Sequence, residues 1–270
     1  MALDQIDVDQ IGKRDPNKMS FLEHLESLRW HIIRSFIGVV LIGIVVFLMK
    51  DFVFQTVILG PKGADFFTYQ MICGFSERLC FYPPEFQLLT RDLGEQFIVH
   101  LKVSFFLALI LAIPYVFYEM WRFIKPGLYE KEKKAARGFV FVCSTLFFTG
   151  VLFGYYIISP FAITFLASYD VGAVSAPTLN SYVNYMTMFT LPTGIVFQLP
   201  VVVYFLAGIG LIGPGVMKQY RKHAFVGILV LASIITPPDV ITQLLISGPL
   251  YILYEISIVI AARIEKRNKI

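Results

Sequence analysis

Long apolar runs separated by short polar and cationic interruptions set the pattern of this chain. Residues 35 to 49, 103 to 118, 224 to 238 and 240 to 254 carry no charge, and between Gly138 and Met217 the sole charged residue is Asp170. Strict two-residue alternation is absent and the runs outlast barrel strands, so the pattern predicts helices, which satisfy their own backbone in lipid. A bilayer core of roughly 30 Å takes about 20 helical residues. On that spacing the spans fall near 32 to 52, 101 to 121, 138 to 159, 184 to 207, 224 to 236 and 240 to 261. The predicted fold class is all-α, a polytopic membrane protein with six transmembrane helices.

Composition agrees with that solvent. Of 270 residues 57% are apolar and 16% charged, against about 25% charged in soluble domains, and the mean hydropathy is +0.69. The cations set orientation. Lys13, Arg14, Lys18, Arg29 and Arg34 precede or enter span one, and Arg122, Lys125, Lys131, Lys133, Lys134 and Arg137 lie between spans two and three. Lys218, Arg221 and Lys222 separate spans four and five, and Arg263, Lys266, Arg267 and Lys269 close the chain. The opposite side holds Lys50, Lys62, Arg78, Arg91 and Lys102, all flanking or within one loop. Both termini are therefore expected in the cytoplasm, and the net charge of +4 is a topology signal with no nucleic-acid partner implied. The first thirty residues hold no apolar stretch of the kind a cleaved signal peptide needs.

Three domain-level segments follow. Residues 1–31 form a cytoplasmic tail ending in an interfacial amphipathic helix, 32–261 form a single six-helix membrane domain with an exterior cap loop at about 53–100, and 262–270 form a basic cytoplasmic tail. The cap contains Gly60-Pro61-Lys62-Gly63 and Phe81-Tyr82-Pro83-Pro84, with a helix expected from Glu85 into span two. Cys73 and Cys80 share this loop on the oxidising side, where their spacing admits a disulfide or two free thiols. Cys143 reads as packing within span three. Span five is short, about 20 Å as helix, ending at the turn Thr236-Pro237-Pro238-Asp239. Either the bilayer thins there or spans five and six form a re-entrant hairpin. Pro114, Pro192 and Pro200 are expected to kink spans two and four.

Several motifs lead nowhere chemical. Gly208-Ile209-Gly210-Leu211-Ile212-Gly213 fits the dinucleotide pattern, yet it ends an apolar span and reads as a loop. Gly150 and Gly154 make a GxxxG close-packing signal in span three. Neither a nucleotide motif, nor zinc spacing, nor a nucleophile elbow is present, so neither an enzyme nor a cofactor is expected. In Ser20-Phe21-Leu22-Glu23-His24-Leu25-Glu26-Ser27-Leu28-Arg29, Phe21, Leu25, Leu28 and Ile32 share one helical face, while Glu23 and Ser27 share another. Glu23 also fits a capping box with Ser20, which leaves Glu26 the freer carboxylate.

His24-Leu25-Glu26-Ser27-Leu28-Arg29 resembles the HLxELR start of the TatC family, the multispanning receptor of the twin-arginine protein translocase. The resemblance continues through the block from Tyr118-Glu119-Met120-Trp121-Arg122 to Tyr129-Glu130-Lys131-Glu132, through Phe197-Gln198-Leu199-Pro200, and through Thr236-Pro237-Pro238-Asp239-Val240-Ile241-Thr242-Gln243, in family order. It implies a glove-shaped concave bundle with the last two helices short, in the bacterial cytoplasmic (inner) membrane. It implies recognition of paired-arginine signal peptides on folded precursors and assembly with small single-span subunits of the TatA/TatB type. It further implies an oligomer driven by the proton-motive force. Guanidiniums call for carboxylates. Glu132 occupies the family's acidic position in the first cytoplasmic loop, with Phe123, Pro126 and Tyr129 shaping that loop and Arg29 closing the first motif. The family's second arginine-binding glutamate aligns with Ser27, so Glu23 or Glu26 is expected to substitute. Gln198 stands where many relatives have a glutamate, and contacts either a partner or a neighbouring helix. Asp239, Gln243 and Glu255 are secondary polar positions. A secondary transporter or channel for a small solute is the alternative, and its inverted repeats are not seen in the sequence.

Overall fold

The structure is a computed structural model that describes residues 21–75, 80–84, 86–125, 138–169, 172, 176–235 and 240–268. Helix α1 covers Phe21–Leu48 and passes through residue 31 without a break, so the amphipathic stretch forms the opening turns of the span-one helix. A short helical turn (Lys50–Phe52) and a wide turn (Val53–Ile58) lead into the cap, whose helix α2 covers Phe67–Phe75. Helix α3 (Glu95–Ile124) returns along α1. Helix α4 (Phe139–Phe153) continues through a wide turn, Gly154–Ile158, into α5 (Ser159–Ser168). Span four is α6 (Leu179–Val196) followed by α7 (Leu199–Gly208). Then come α8 (Pro214–Gln219), α9 (Arg221–Ile235) and α10 (Val240–Asn268).

Five of these segments are long and apolar enough to cross a membrane: Leu25–Leu48, Glu95–Ile124, Phe139–Ser168, Leu179–Gly208 and Thr242–Arg267. Their outward faces are apolar, as α1 shows by presenting Trp30, Ile32, Phe36, Leu41 and Leu48 to the surroundings. With 15 residues, α9 falls short of the hydrocarbon core, as its sequence implies. The expectation of a short final pair fails for α10, which has 29 residues. Its helix runs on through the basic segment to Asn268, because Arg263, Glu265, Lys266 and Arg267 are all good helix formers. The turn at 236–239, Asp239 included, lies outside the described residues.

Small residues set the helix spacing. Gly38 on α1 sits against the Tyr115 ring of α3, where an added Cβ would lie 2.7 Å from Cδ1. Gly150 and Gly154 bring α4 onto α6 backbone to backbone, with Gly194 answering from the other side. Ile158, Phe189 and Phe197 pack with Ile228, Ala232, Ile246 and Leu250, which joins spans three and four to α9 and α10. Gly210, with φ +77°, lets the chain leave α7 in a conformation that L side chains rarely adopt.

The cap is tied down by hydrogen bonds that the helices cannot make themselves. Pro160 has no N–H, so the carbonyl of Tyr156, one turn earlier, lacks its usual donor. The Thr68 hydroxyl of α2 donates to it instead. Tyr155 and Tyr182 donate to the carbonyls of Val57 (2.7 Å) and Ile58 (2.9 Å). Fully buried Tyr69 donates to the Pro61 carbonyl at 3.1 Å, and burial pushes its hydroxyl pKa up, opposed by the Thr164 hydrogen bond. Beneath the cap lies a cavity of about 610 Å³, walled by Phe106, Leu107, Tyr155, Met186 and Thr190 among others.

The helix expected from Glu85 does not form. Leu89 pairs as a lone bridge with Thr178 and the helix starts at Glu95, because Leu89 finds its backbone partners in Pro177 and Leu179. Glu95 fixes this junction by accepting from the backbone N–H of Arg91 (2.5 Å) and of Asn180 (3.1 Å). Cys73 and Cys80 are joined in a disulfide with Cα atoms 4.4 Å apart. Closing so short a loop stabilises by about 2 kcal/mol in the chain-entropy account. Cys73→Ser with Cys80→Ser is therefore expected to lower the melting temperature of detergent-solubilised protein by several degrees, and reductant is expected to reproduce that drop in the unsubstituted chain alone.

Candidate functional site

At the end of the bundle opposite the cap, α1 and α3 meet through a polar cluster set in apolar helix. His31 and Ser27 are four residues apart on α1 and so lie on one face, one turn from each other. His31 Nδ1–H donates to Glu119 Oε2 at 2.5 Å, joining α1 to α3. Glu119 is only 2% exposed. Its other oxygen, Oε1, accepts from Arg122 Nη1 at 3.4 Å, one turn further along α3. The Arg122 guanidinium also sits over the Tyr118 ring, 5.7 Å from its centroid, and Arg34 lies within electrostatic reach of Glu119. Phe123 closes the cluster edge-on to His31, ring centroids 6.1 Å apart. A buried carboxylate needs cations and donors around it, and this one has them on both helices.

The residues picked out from sequence fall around this cluster to different degrees. Ser27 and Phe123 border it, both half-buried. Glu26 and Arg29 are exposed on α1, about 100° or more round the helix from the Ser27 side. Glu23 lies in the first turn of α1, its side chain outside the described residues, as are Pro126, Tyr129 and Glu132. His31 and Glu119 were missed as a pair. Glu119 stands immediately after the charge-free run 103 to 118, and a charge at the edge of such a run, with a histidine at the matching depth of another span, is the signal that would have found it.

The remaining polar positions close onto neighbouring helices. Gln198 sits at the joint between α6 and α7, where Pro200 forces a break, and its Nε2 donates to the Cys143 carbonyl of α4 at 3.1 Å. This is the interhelical alternative. Gln198→Leu is expected to cost about 1 kcal/mol, read as a modest fall in melting temperature. Gln243 Nε2 donates to the Leu229 carbonyl at 3.0 Å, which locks α10 to α9. Glu255 accepts from Arg221 Nη2 at 2.7 Å, so this carboxylate within the last span is paired with a cation from the start of α9.

Among the described residues the chain is an all-helical bundle with five helices long and apolar enough to cross a membrane, which is the architecture of a multi-pass membrane protein. The family described as Sec-independent protein translocase protein (TatC) matches residues 23–249. A TatC protein of Blattabacterium sp. subsp. Periplaneta americana (strain BPLAN) is 35% identical over 265 residues, covering 95% of this chain and 100% of that one. The TatCy protein of Bacillus subtilis (strain 168) is 32% identical over 247 residues, covering 91% of this chain and 89% of its own length. A crystal structure described as the twin arginine translocase receptor TatC in DDM superposes with a TM-score of 0.70 at 32% identity, covering 87% of this chain and 97% of that one. The chain belongs to the TatC family and is a multi-pass component of the Sec-independent protein translocase.

Proposed function

We propose that this chain is the receptor subunit of the translocase, and that it binds paired-arginine signal peptides of folded precursors at the end of the bundle opposite the cap. The observation that carries the reading is the match, along nearly the whole chain, to a solved structure described as the twin arginine translocase receptor. The cation distribution supports placing that end, with both termini, on the cytoplasmic face of the bacterial inner membrane. Glu132 supplies the main carboxylate for the signal peptide, while Phe123, Pro126 and Tyr129 shape the loop around it. Glu23 and Glu26 are available on α1. Small single-span subunits of the TatA/TatB type dock against the membrane domain, and the subunit works as a scaffold and receptor with energy drawn from the proton-motive force.

The test is complementation. A strain lacking its own TatC-type receptor, supplied with this chain and its matched single-span partners, is expected to export a folded reporter carrying a paired-arginine signal. Replacing both arginines with lysine is expected to stop export. Export that ignores that replacement, at normal expression of the receptor, would overturn the reading.

A further inference from the structure

Two guanidiniums require two carboxylates, and the chain offers Glu132 for one. At the position resembling the second, Ser27 brings no charge, and Glu26, one of the two α1 carboxylates that could replace it, is exposed about 100° round the helix from that face. The α1 face that carries Ser27 leads one turn deeper to His31, and there Glu119 presents its carboxylate from α3. That carboxylate is held asymmetrically. His31 fixes Oε2 at 2.5 Å, while Oε1 is held by Arg122 at 3.4 Å. The second contact is well beyond the roughly 2.7–2.9 Å of a close charge-assisted bond. The Arg122 side chain is 48% exposed, so the guanidinium on Oε1 stands at the edge of the site and exchanges at low cost.

We propose that Glu119 is the second arginine-binding carboxylate of this receptor, and that Arg122 is an internal stand-in whose guanidinium a signal-peptide arginine displaces. This deepens the receptor reading and rests on it. His31 orients the carboxylate through Oε2 and leaves Oε1 facing the exchangeable guanidinium. Phe123, edge-on to His31, sets the apolar wall beside the incoming arginine. Displacement leaves the number of charge-assisted contacts unchanged, and it improves them because the peptide guanidinium is free to approach Oε1 end-on, whereas Arg122 is constrained by its place three residues along the same helix.

The experiment is site-specific crosslinking and binding of a paired-arginine peptide to the full chain in membranes with its single-span partners. Glu119→Gln is expected to weaken binding by about ten- to a hundredfold, the scale of one charge-assisted contact. Adding Ser27→Glu to Glu119→Gln is expected to restore most of it, because the carboxylate returns one turn away. Arg122→Gln is expected to tighten binding several-fold, because the internal competitor is gone. A peptide with one arginine changed to lysine is expected to lose less affinity in Glu119→Gln than in the unsubstituted receptor, for the arginine that Glu119 serves. Unchanged binding in Glu119→Gln, or a loss that Ser27→Glu does not restore, overturns the proposal. So does Arg122→Gln binding no tighter than the unsubstituted chain, a result that any folding defect in Glu119→Gln leaves intact. Glu132→Gln serves as the separate control on the receptor reading: if it too binds normally, that reading fails, whereas loss in Glu132→Gln with normal binding in Glu119→Gln overturns this inference alone.

Discussion

Alanine at Gly154 is expected to destabilise the seat of α4 on α6 by about 1–3 kcal/mol, and leucine there to prevent stable accumulation. A Cβ built at Gly154 falls inside contact distance of the Phe189 carbonyl and 2.9 Å from Thr190 Cα, both backbone atoms that cannot swing away. Gly150→Ala meets the same kind of obstacle, 2.8 Å from Gly194 Cα. Gly227 and Gly248 have open space where a Cβ would stand, so alanine at either is expected to be neutral or to stabilise by up to about 1 kcal/mol. Thermal unfolding of detergent-solubilised protein, followed by loss of the monodisperse chromatographic peak, separates the two pairs. Equal melting temperatures for Gly154→Ala and Gly227→Ala would show that spans three and four do not pack at these glycines.

Glu132→Gln is expected to reduce paired-arginine peptide crosslinking by about a hundredfold or more and to abolish export, at unchanged expression. A carboxylate facing a guanidinium offers two parallel charge-assisted hydrogen bonds, and the amide retains one acceptor and none of the charge. Glu132 stands among Lys131, Lys133 and Lys134, so the neighbouring cations penalise an approaching guanidinium unless this carboxylate answers it. Glu132→Asp is expected to keep partial binding. Crosslinking that survives Glu132→Gln at full strength would remove the loop from the recognition site.

The spans were legible in the sequence because lipid imposes a single requirement, about 20 predominantly apolar residues per crossing, and the charge-free runs mark the centres of such stretches. The short α9 was legible for the same reason. The start of α3 was not. The stretch before it contains nothing that forbids a helix after Pro84, and the backbone of Leu89 is taken instead by Pro177 and Leu179, a contact across a long sequence separation. Glu255 and Gln198 illustrate a similar limit. Their presence in apolar helices signals a partner, but whether that partner is Arg221 or the Cys143 carbonyl depends on which helices lie side by side.

The glycines of span three read as a close-packing signal without a partner, and the fold supplies Phe189, Thr190 and Gly194 as that partner. Cys73 and Cys80 were two thiols with two possible states, and the fold brings their Cα atoms to 4.4 Å, within bonding geometry.

What the sequence determined by itself is the solvent, the number of long apolar segments, the uneven sorting of cations and the family motifs, all of which are local or compositional. What only the tertiary structure decided is the pairing of His31 on α1 with Glu119 on α3, residues far apart in the chain and separated by the whole cap. Neither position announces the other, because periodicity records which face a residue occupies along its own helix and carries no register between helices. That register comes from side-chain packing of α1 against α3, Gly38 on the Tyr115 ring included, which sets the depth at which a buried carboxylate meets its histidine.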